Sequence, residues 1–157
     1  MANTYTKIYL HVVFAVKNRE ALIPAIYLPE LHAYIGGIIK KMGHTPMCIG
    51  GTENHIHCLI QYNLNQSIPD MVRDLKCSSS AHINRQNIIP FRFEWQRGYA
   101  CFSISHSHID SVMDYIRHQF EHHNNVTLED EIIKIIKIMK KYDIDYDPQY
   151  IIRAPDQ

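Results

Sequence analysis

His55-Ile56-His57-Cys58-Leu59-Ile60-Gln61-Tyr62 alternates residue by residue. Ile56, Cys58, Ile60 and Tyr62 share one side, and His55, His57, Leu59 and Gln61 the other, which is the pattern of a strand with one face in a core. Ahead of it, Gly50-Gly51 reads as a turn and residues 44–50 as a short strand leading into that turn. Residues 5–16 form a second alternating run. Ile8, Leu10, Val12, Phe14 and Val16 lie on one face, with Tyr5, Lys7, Tyr9 and His11 on the other, so this strand is expected to be half buried with a polar, aromatic outer face.

Between and beyond these strands the apolar period lengthens to that of a helix. Residues 27–42 carry Leu31, Ile35, Ile38 and Met42 at helical spacing, and Gly43 suits a C-terminal cap. Ser67-Ile68-Pro69-Asp70 has the serine cap and first-turn proline of a helix start, with Met71, Val72, Leu75 and Ile83 following. Residues 87–98 read as a loop and Tyr99 to Ser105 as a fourth strand. Ser107 with Asp110 is expected to open another helix, apolar at Ile109, Val112, Met113, Ile116 and Phe120 and ended by Asn124-Asn125. Thr127 with Asp130 then caps a last helix running to about residue 142.

The resulting order is β-α-β-β-α-β and then two helices. It predicts the α+β class: a ferredoxin-like split β-α-β antiparallel sheet with helices on one face, a C-terminal helix bearing chemistry, and an extra helix. Residues 1–143 are expected to form a single domain and residues 144–157, with Pro148 and Pro155, an irregular tail. The apolar fraction of 46% supplies a core and argues against global disorder. Net charge is zero, but residues 1–109 hold ten Lys/Arg against six Asp/Glu, and residues 110–157 hold six against ten. That split permits an anion-binding face on the N-terminal part. Cys48, Cys58, Cys77 and Cys101 form no C-x-x-C pair and read as reduced core residues of a cytoplasmic protein. No signal-like leader and no bilayer-length apolar run is expected.

The residues that carry chemistry cluster in a few places. His55 and His57 project from one strand face at a spacing that lets two imidazoles share a metal, although a bare His-x-His also occurs as two polar residues on a solvated strand. A second such pair, His106-Ser107-His108, reads as a loop or helix start without metal. In Tyr115-Ile116-Arg117-His118-Gln119 the tyrosine and glutamine stand four apart, on one helix face. A tyrosine with its ordinary pKa of about 10 becomes a useful nucleophile when a cation polarises the phosphate it attacks. His122, in His122-His123, falls on the same side and is a candidate phosphate contact. Lys7, Tyr9, Arg73, Lys76 and Arg97 are further candidate DNA contacts, through phosphate pairing or base stacking. The loop Phe91-Arg92-Phe93-Glu94-Trp95-Gln96-Arg97-Gly98-Tyr99 reads either as a DNA clamp or as a core plug with charged edges.

Four stretches in order resemble the single-tyrosine His-hydrophobe-His transposases of the insertion sequence 200/605 group. They are His11 to Arg19, Glu53-Asn54-His55-Ile56-His57, Trp95 to Ser105, and Tyr115 to Gln119 with His122-His123. The resemblance spans nearly the whole chain. It implies a homodimer with merged sheets, in which the catalytic helix of one subunit often serves the histidine pair of the other. It implies that such enzymes bind imperfect hairpins of single-stranded DNA at element ends. It also implies that Tyr115 attacks a phosphodiester, keeps the 5′ phosphate and releases a 3′ hydroxyl without any nucleotide cofactor. By the same resemblance His55, His57 and Gln119 hold Mg2+ or Mn2+. Asn54 departs from the pattern, which usually has aspartate there; an aspartate can orient a ligating histidine, and asparagine can still hydrogen-bond.

Other readings remain distinguishable. A histidine-triad nucleotide hydrolase would place a third histidine at Leu59. A replication initiator or relaxase would ordinarily bring further segments. A domesticated relative that binds hairpins without cutting would differ by retaining DNA binding while forming no covalent adduct.

Overall fold

The computed structural model describes residues 3–17 and 22–119, with the single positions 133, 136, 137, 140 and 145. The chain runs through β1 (Ile8–Ala15), a 3₁₀ turn (Ala25–Tyr27), α1 (Leu28–Lys41), β2 (Thr45–Gly51), β3 (His55–Tyr62), α2 (Ile68–Gln86), β4 (Ala100–Ile104), a second 3₁₀ turn (His106–His108) and α3 (Ile109–Arg117). The four strands are antiparallel in the order β2-β3-β1-β4. This is the predicted split β-α-β sheet. The last expected helix, the Asn124-Asn125 stop and the tail lie outside the described residues, apart from the single positions named above.

Period-two alternation divides the sheet into two faces with different covers. On the first face Leu10, Val12, Phe14 and Val16 meet Ile56, Cys58 and Ile60, under Leu28, Leu31, Ile35 and Ile39 of α1 and Met71, Val72, Leu75 and Ile83 of α2. The buried stripe of α1 therefore runs through Leu28 and Ile39, and Ile38 and Met42 are only partly buried at its margin. The second face is also covered. Tyr9 and Leu59 are buried against Ile109 and Ile116 of α3, so β1 does not have the solvated outer face that its sequence suggested. Alternation reports which side chains share a face, not what packs on it.

Helix ends follow local chemistry. Ser67 Oγ accepts from Asp70 N at 3.2 Å, the predicted cap of α2. At α3 the expected Ser107 cap does not form. The chain enters through the second 3₁₀ turn, closed by His108 N donating to Ser105 O at 3.0 Å, and Ser107 lies inside that turn. Among the four cysteines, none of which is paired, Cys58 is buried but Cys77 is exposed on α2, not in the core.

The loop between α2 and β4 is held by three anchors. Phe93 N donates to Asn84 Oδ1 at 2.8 Å, and Asn84 Nδ2 donates to Phe93 O at 3.1 Å. Lys76 Nζ donates to Gln96 O and Gly98 O. Trp95 sits edge-on against Phe14 at 4.7 Å, and its Nε1 donates to Ser79 Oγ at 3.0 Å. Phe93 and Trp95 thus plug the core, while Arg92 and Arg97 stay exposed. Ser79 is fully buried. Replacing it with alanine leaves the indole N–H without an acceptor, so Ser79→Ala should lower stability by about 1–3 kcal/mol. Urea denaturation should read this as a lower midpoint with an unchanged slope.

Candidate active site

His55 and His57 point toward α3 from the second face of β3, and both are buried. Their ring centroids lie 4.9 Å apart. Across them, α3 brings the Tyr115 ring edge-on to His57 at 5.7 Å. Just past the last turn of α3, Gln119 is buried, with Oε1 3.2 Å from His55 Nε2 and Nε2 donating to Tyr115 O at 3.3 Å. The structure therefore gathers His55, His57, Tyr115 and Gln119 from a single chain.

A glycine makes this approach possible. Gly50 pairs with His57 across the β2–β3 ladder, and a Cβ at Gly50 would stand 2.3 Å from Ile116 O. Any side chain there collides with helix backbone. Gly51 next to it takes φ +147°, where a Cβ would lie 2.2 Å from His55 O. Gly50 and Gly51 are thus not the expected turn but the end of β2, paired with His57 and Ile56, and they form the seat of α3.

His55 is oriented by its own turn. Its Nδ1 lies 2.6 Å from Asn54 Oδ1 and 2.9 Å from Thr52 Oγ1, and the Thr52 hydroxyl donates to Asn54 Oδ1 at 2.9 Å. Two oxygens crowding Nδ1 place the imidazole proton on that nitrogen. With its proton on Nδ1, His55 turns Nε2 toward Gln119 Oε1. Asn54 thus supplies the orienting oxygen that an aspartate would.

His57 has an unexpected neighbour. His11, on β1, sets its Nε2 2.8 Å from His57 Nδ1, and its ring lies 6.4 Å from that of Tyr115. Burial pushes the His11 pKa down to about 4. Burial, reinforced by His55 and His11, holds that of His57 well below the usual range. Both rings are therefore neutral at neutral pH. His57 Nε2 is buried with no hydrogen-bond partner. His55 and His57 with Gln119 offer two ring nitrogens and one carboxamide oxygen, and that set suits a cation. Among the described residues no group of three or more His, Cys, Asp or Glu side chains forms a metal cluster. The set that fits is two imidazoles and one carboxamide, with no carboxylate.

The other sequence candidates separate clearly. Lys7 and Arg97 are exposed. Arg73 is exposed but paired with Asp70 at 3.1 Å and Asp74 at 3.3 Å. Lys76 is engaged with loop carbonyls, and burial lowers its pKa to about 8. Tyr9 is covered, at 5% exposure, so its ring offers no open face to a base, contrary to expectation. His106 turns to Tyr9, with Nδ1 3.4 Å from the phenol oxygen, and His108 turns to Ser105, so that pair shares no site. His122 lies outside the described residues. His11 and Thr52 were not singled out from the sequence as site residues; the signals were that His11 lies on the outer face of its strand and heads the first of the four resembling stretches.

The site is thus a ferredoxin-like sheet with a histidine pair on one face and a tyrosine-bearing helix across it. Residues 4–119 match the family of IS200-like transposases, and the chain belongs to that family. Its role is that of a transposase. No curated protein matches it. Two solved structures are similar. One is a protein from Deinococcus radiodurans R1 assigned as a transposase, 19% identical, with a TM-score of 0.59 over 76% of this chain and 95% of that one. The other is a REP-associated tyrosine transposase bound to a REP hairpin, 14% identical, with a TM-score of 0.58 over 99% of this chain and 98% of that one. At these identities the likeness establishes a shared fold.

Gly50→Ala should lift the last turn of α3 while leaving the sheet intact, at a local cost of about 1–3 kcal/mol. Amide exchange in residues 109–117 should accelerate by roughly tenfold or more, with protection in β1 and β3 unchanged. Unchanged protection in α3 would show that Gly50 is not its seat.

Proposed function

We propose that this transposase cuts and rejoins single-stranded DNA through a covalent bond between Tyr115 and a 5′ phosphate. The observation that carries this reading is the gathering of His55, His57 and Gln119 beside the Tyr115 ring. His55, His57 and Gln119 would hold a divalent cation, Mg2+ or Mn2+, which when bound supplies Lewis-acid polarisation of the scissile phosphate. Three neutral ligands favour Mn2+ over Mg2+, because Mg2+ prefers oxygen. They also leave the positive charge of the site uncancelled for the phosphodiester anion.

The residues of the chain then have distinct tasks. α3 fixes Tyr115 on the metal side of the sheet, so the attacking oxygen is placed before substrate arrives. The phenol gives up its proton, and its oxygen forms the new bond to phosphorus. The P–O3′ bond breaks, and the departing oxygen takes up a proton as the 3′ hydroxyl. A phosphodiester is replaced by a phosphotyrosine ester, so the step is reversible and a second 3′ hydroxyl can take the strand without ATP. Gln119 serves both sides, facing His55 through Oε1 and bonded to the Tyr115 carbonyl through Nε2. α3 packs on the sheet of its own chain, and the reaction is proposed to run in cis.

The substrate is proposed to be a hairpin-bearing single strand, as supported by the similar transposase bound to a REP hairpin. Lys7 and Arg97, exposed and not held by the fold, are the phosphate contacts this reading retains. Affinity should therefore fall with salt.

The test is a denaturing gel of protein mixed with labelled single-stranded hairpin DNA from the sequence flanking its gene. Wild-type protein with Mn2+ should give a denaturant-resistant protein–DNA band, absent with chelator. Tyr115→Phe should abolish the band and leave hairpin binding within a few-fold of wild type. Cleavage by Tyr115→Phe would remove Tyr115 as nucleophile. Hairpin binding without any band in the wild type would instead favour a relative that has kept DNA recognition and lost cutting.

A further inference from the structure

We propose that His11 is a positioning residue: its Nε2 accepts the Nδ1 proton of His57 and so keeps the His57 Nε2 lone pair bare. The inference rests on the metal-site reading above and extends it to the strand next door. His11 faces Leu59 in the β1–β3 ladder, and His57 faces Val13. The two histidines are therefore diagonal neighbours on one face, within reach of long or flat side chains. Their rings lie 5.1 Å apart, with His11 Nε2 and His57 Nδ1 at 2.8 Å.

At that distance one proton lies between the two nitrogens, and it belongs to one ring or the other. If it belonged to His11, His57 Nδ1 would be the acceptor, and neutral His57 would carry its own proton on Nε2. That N–H would be buried with no acceptor, because His57 Nε2 has no partner. If the proton belongs to His57 Nδ1, both nitrogens of the short contact are satisfied, and the buried Nε2 is an unprotonated lone pair. His11 then carries its own proton on Nδ1, which is not among the buried atoms that lack a partner, so the second arrangement orphans no buried donor. It also gives His57 the same tautomer as His55.

The two ligand histidines thus reach one tautomer by different means. His55 stands at the start of β3, beside a turn that supplies Thr52 Oγ1 and Asn54 Oδ1. His57 is two residues into a strand hydrogen-bonded on both sides, with β1 and β2, and its acceptor comes from the side chain of a neighbouring strand. Hydrogen bonds of this kind fix ring orientation as well as proton position. An acceptor on a central strand of the sheet is well placed for that task.

The experiment compares wild type, His11→Phe and His11→Gln as full-length protein. Phenylalanine fills the ring space without an acceptor; glutamine offers a carboxamide oxygen. In metal-free, 15N-labelled protein, two-bond 1H–15N correlation of the imidazoles should show His57 protonated at Nδ1 in wild type and in His11→Gln. His11→Phe should lose that preference. Mn2+ titration followed by electron paramagnetic resonance should show affinity lowered about 10–100-fold in His11→Phe and largely restored in His11→Gln. Hairpin binding and thermal melting establish that each variant is folded; if His11→Phe does not fold, the wild-type tautomer and His11→Gln carry the test. His57 protonated at Nε2 in wild type would overturn the inference, as would a folded His11→Phe with unchanged Mn2+ affinity. Absence of Mn2+ binding in wild type would refute the metal site, while the metal-free tautomer would still decide the role of His11.

Discussion

The carbonyl of Ile116 rests against Gly50, and everything at the site depends on that contact. It is a backbone-to-backbone approach that no other residue at position 50 permits. It brings the end of α3 down onto the β2–β3 hairpin, so Tyr115 and Gln119 arrive beside His55 and His57. Among the described residues the apolar part of the same interface is the smaller one: Ile109 and Ile116 against Tyr9 and Leu59, with Met47, Cys48, Ile104, Val112, Met113 and Tyr115 alongside. The face under α1 and α2 is much more extensive. The sheet and its two long helices therefore form the stable body, and α3 is held by a smaller contact in which local fit counts for more.

Within that frame, the electrostatics of the site follow from burial. Burial on the second face keeps His11 and His57 neutral. Neutral rings cannot repel a cation and can donate lone pairs to it. The absence of a carboxylate from the described donor set has a matching consequence. A cation bound there would keep its charge toward the substrate, and the negative partner in the complex would be the DNA phosphate. Metal and nucleic acid are thus expected to favour each other's binding.

Much of this was legible in the sequence, because much of it depends on local pattern. Alternation in residues 55–62 gave the shared face of His55 and His57, and the four-residue spacing of Tyr115 and Gln119 gave theirs. Ser67 with Asp70 announced the start of α2. What was not legible depends on register and on what covers each face. His11 meets His57 only because β1 pairs with β3 in one particular alignment. Tyr9 reads as a surface aromatic until α3 lies over it. Lys76 reads as a free cation until the loop carbonyls of Gln96 and Gly98 close on it. Gly50 is a plausible turn residue in any case, and nothing local reveals that a helix some sixty positions later in the sequence needs the space. The shift of the α1 stripe toward Leu28 and Ile39 has the same origin, since the angle at which a helix lies on a sheet is set by its partners.

The central claim is that one chain builds the whole site by docking its own α3. The most direct measurement mixes two variants, Tyr115→Phe and His57→Ala, each defective in a different half of the site, and assays the mixture for the covalent adduct with hairpin DNA. The account predicts no more adduct from the mixture than from the two variants assayed separately. A clear gain of adduct on mixing would contradict it, because the tyrosine of one chain would then be working with the histidines of another.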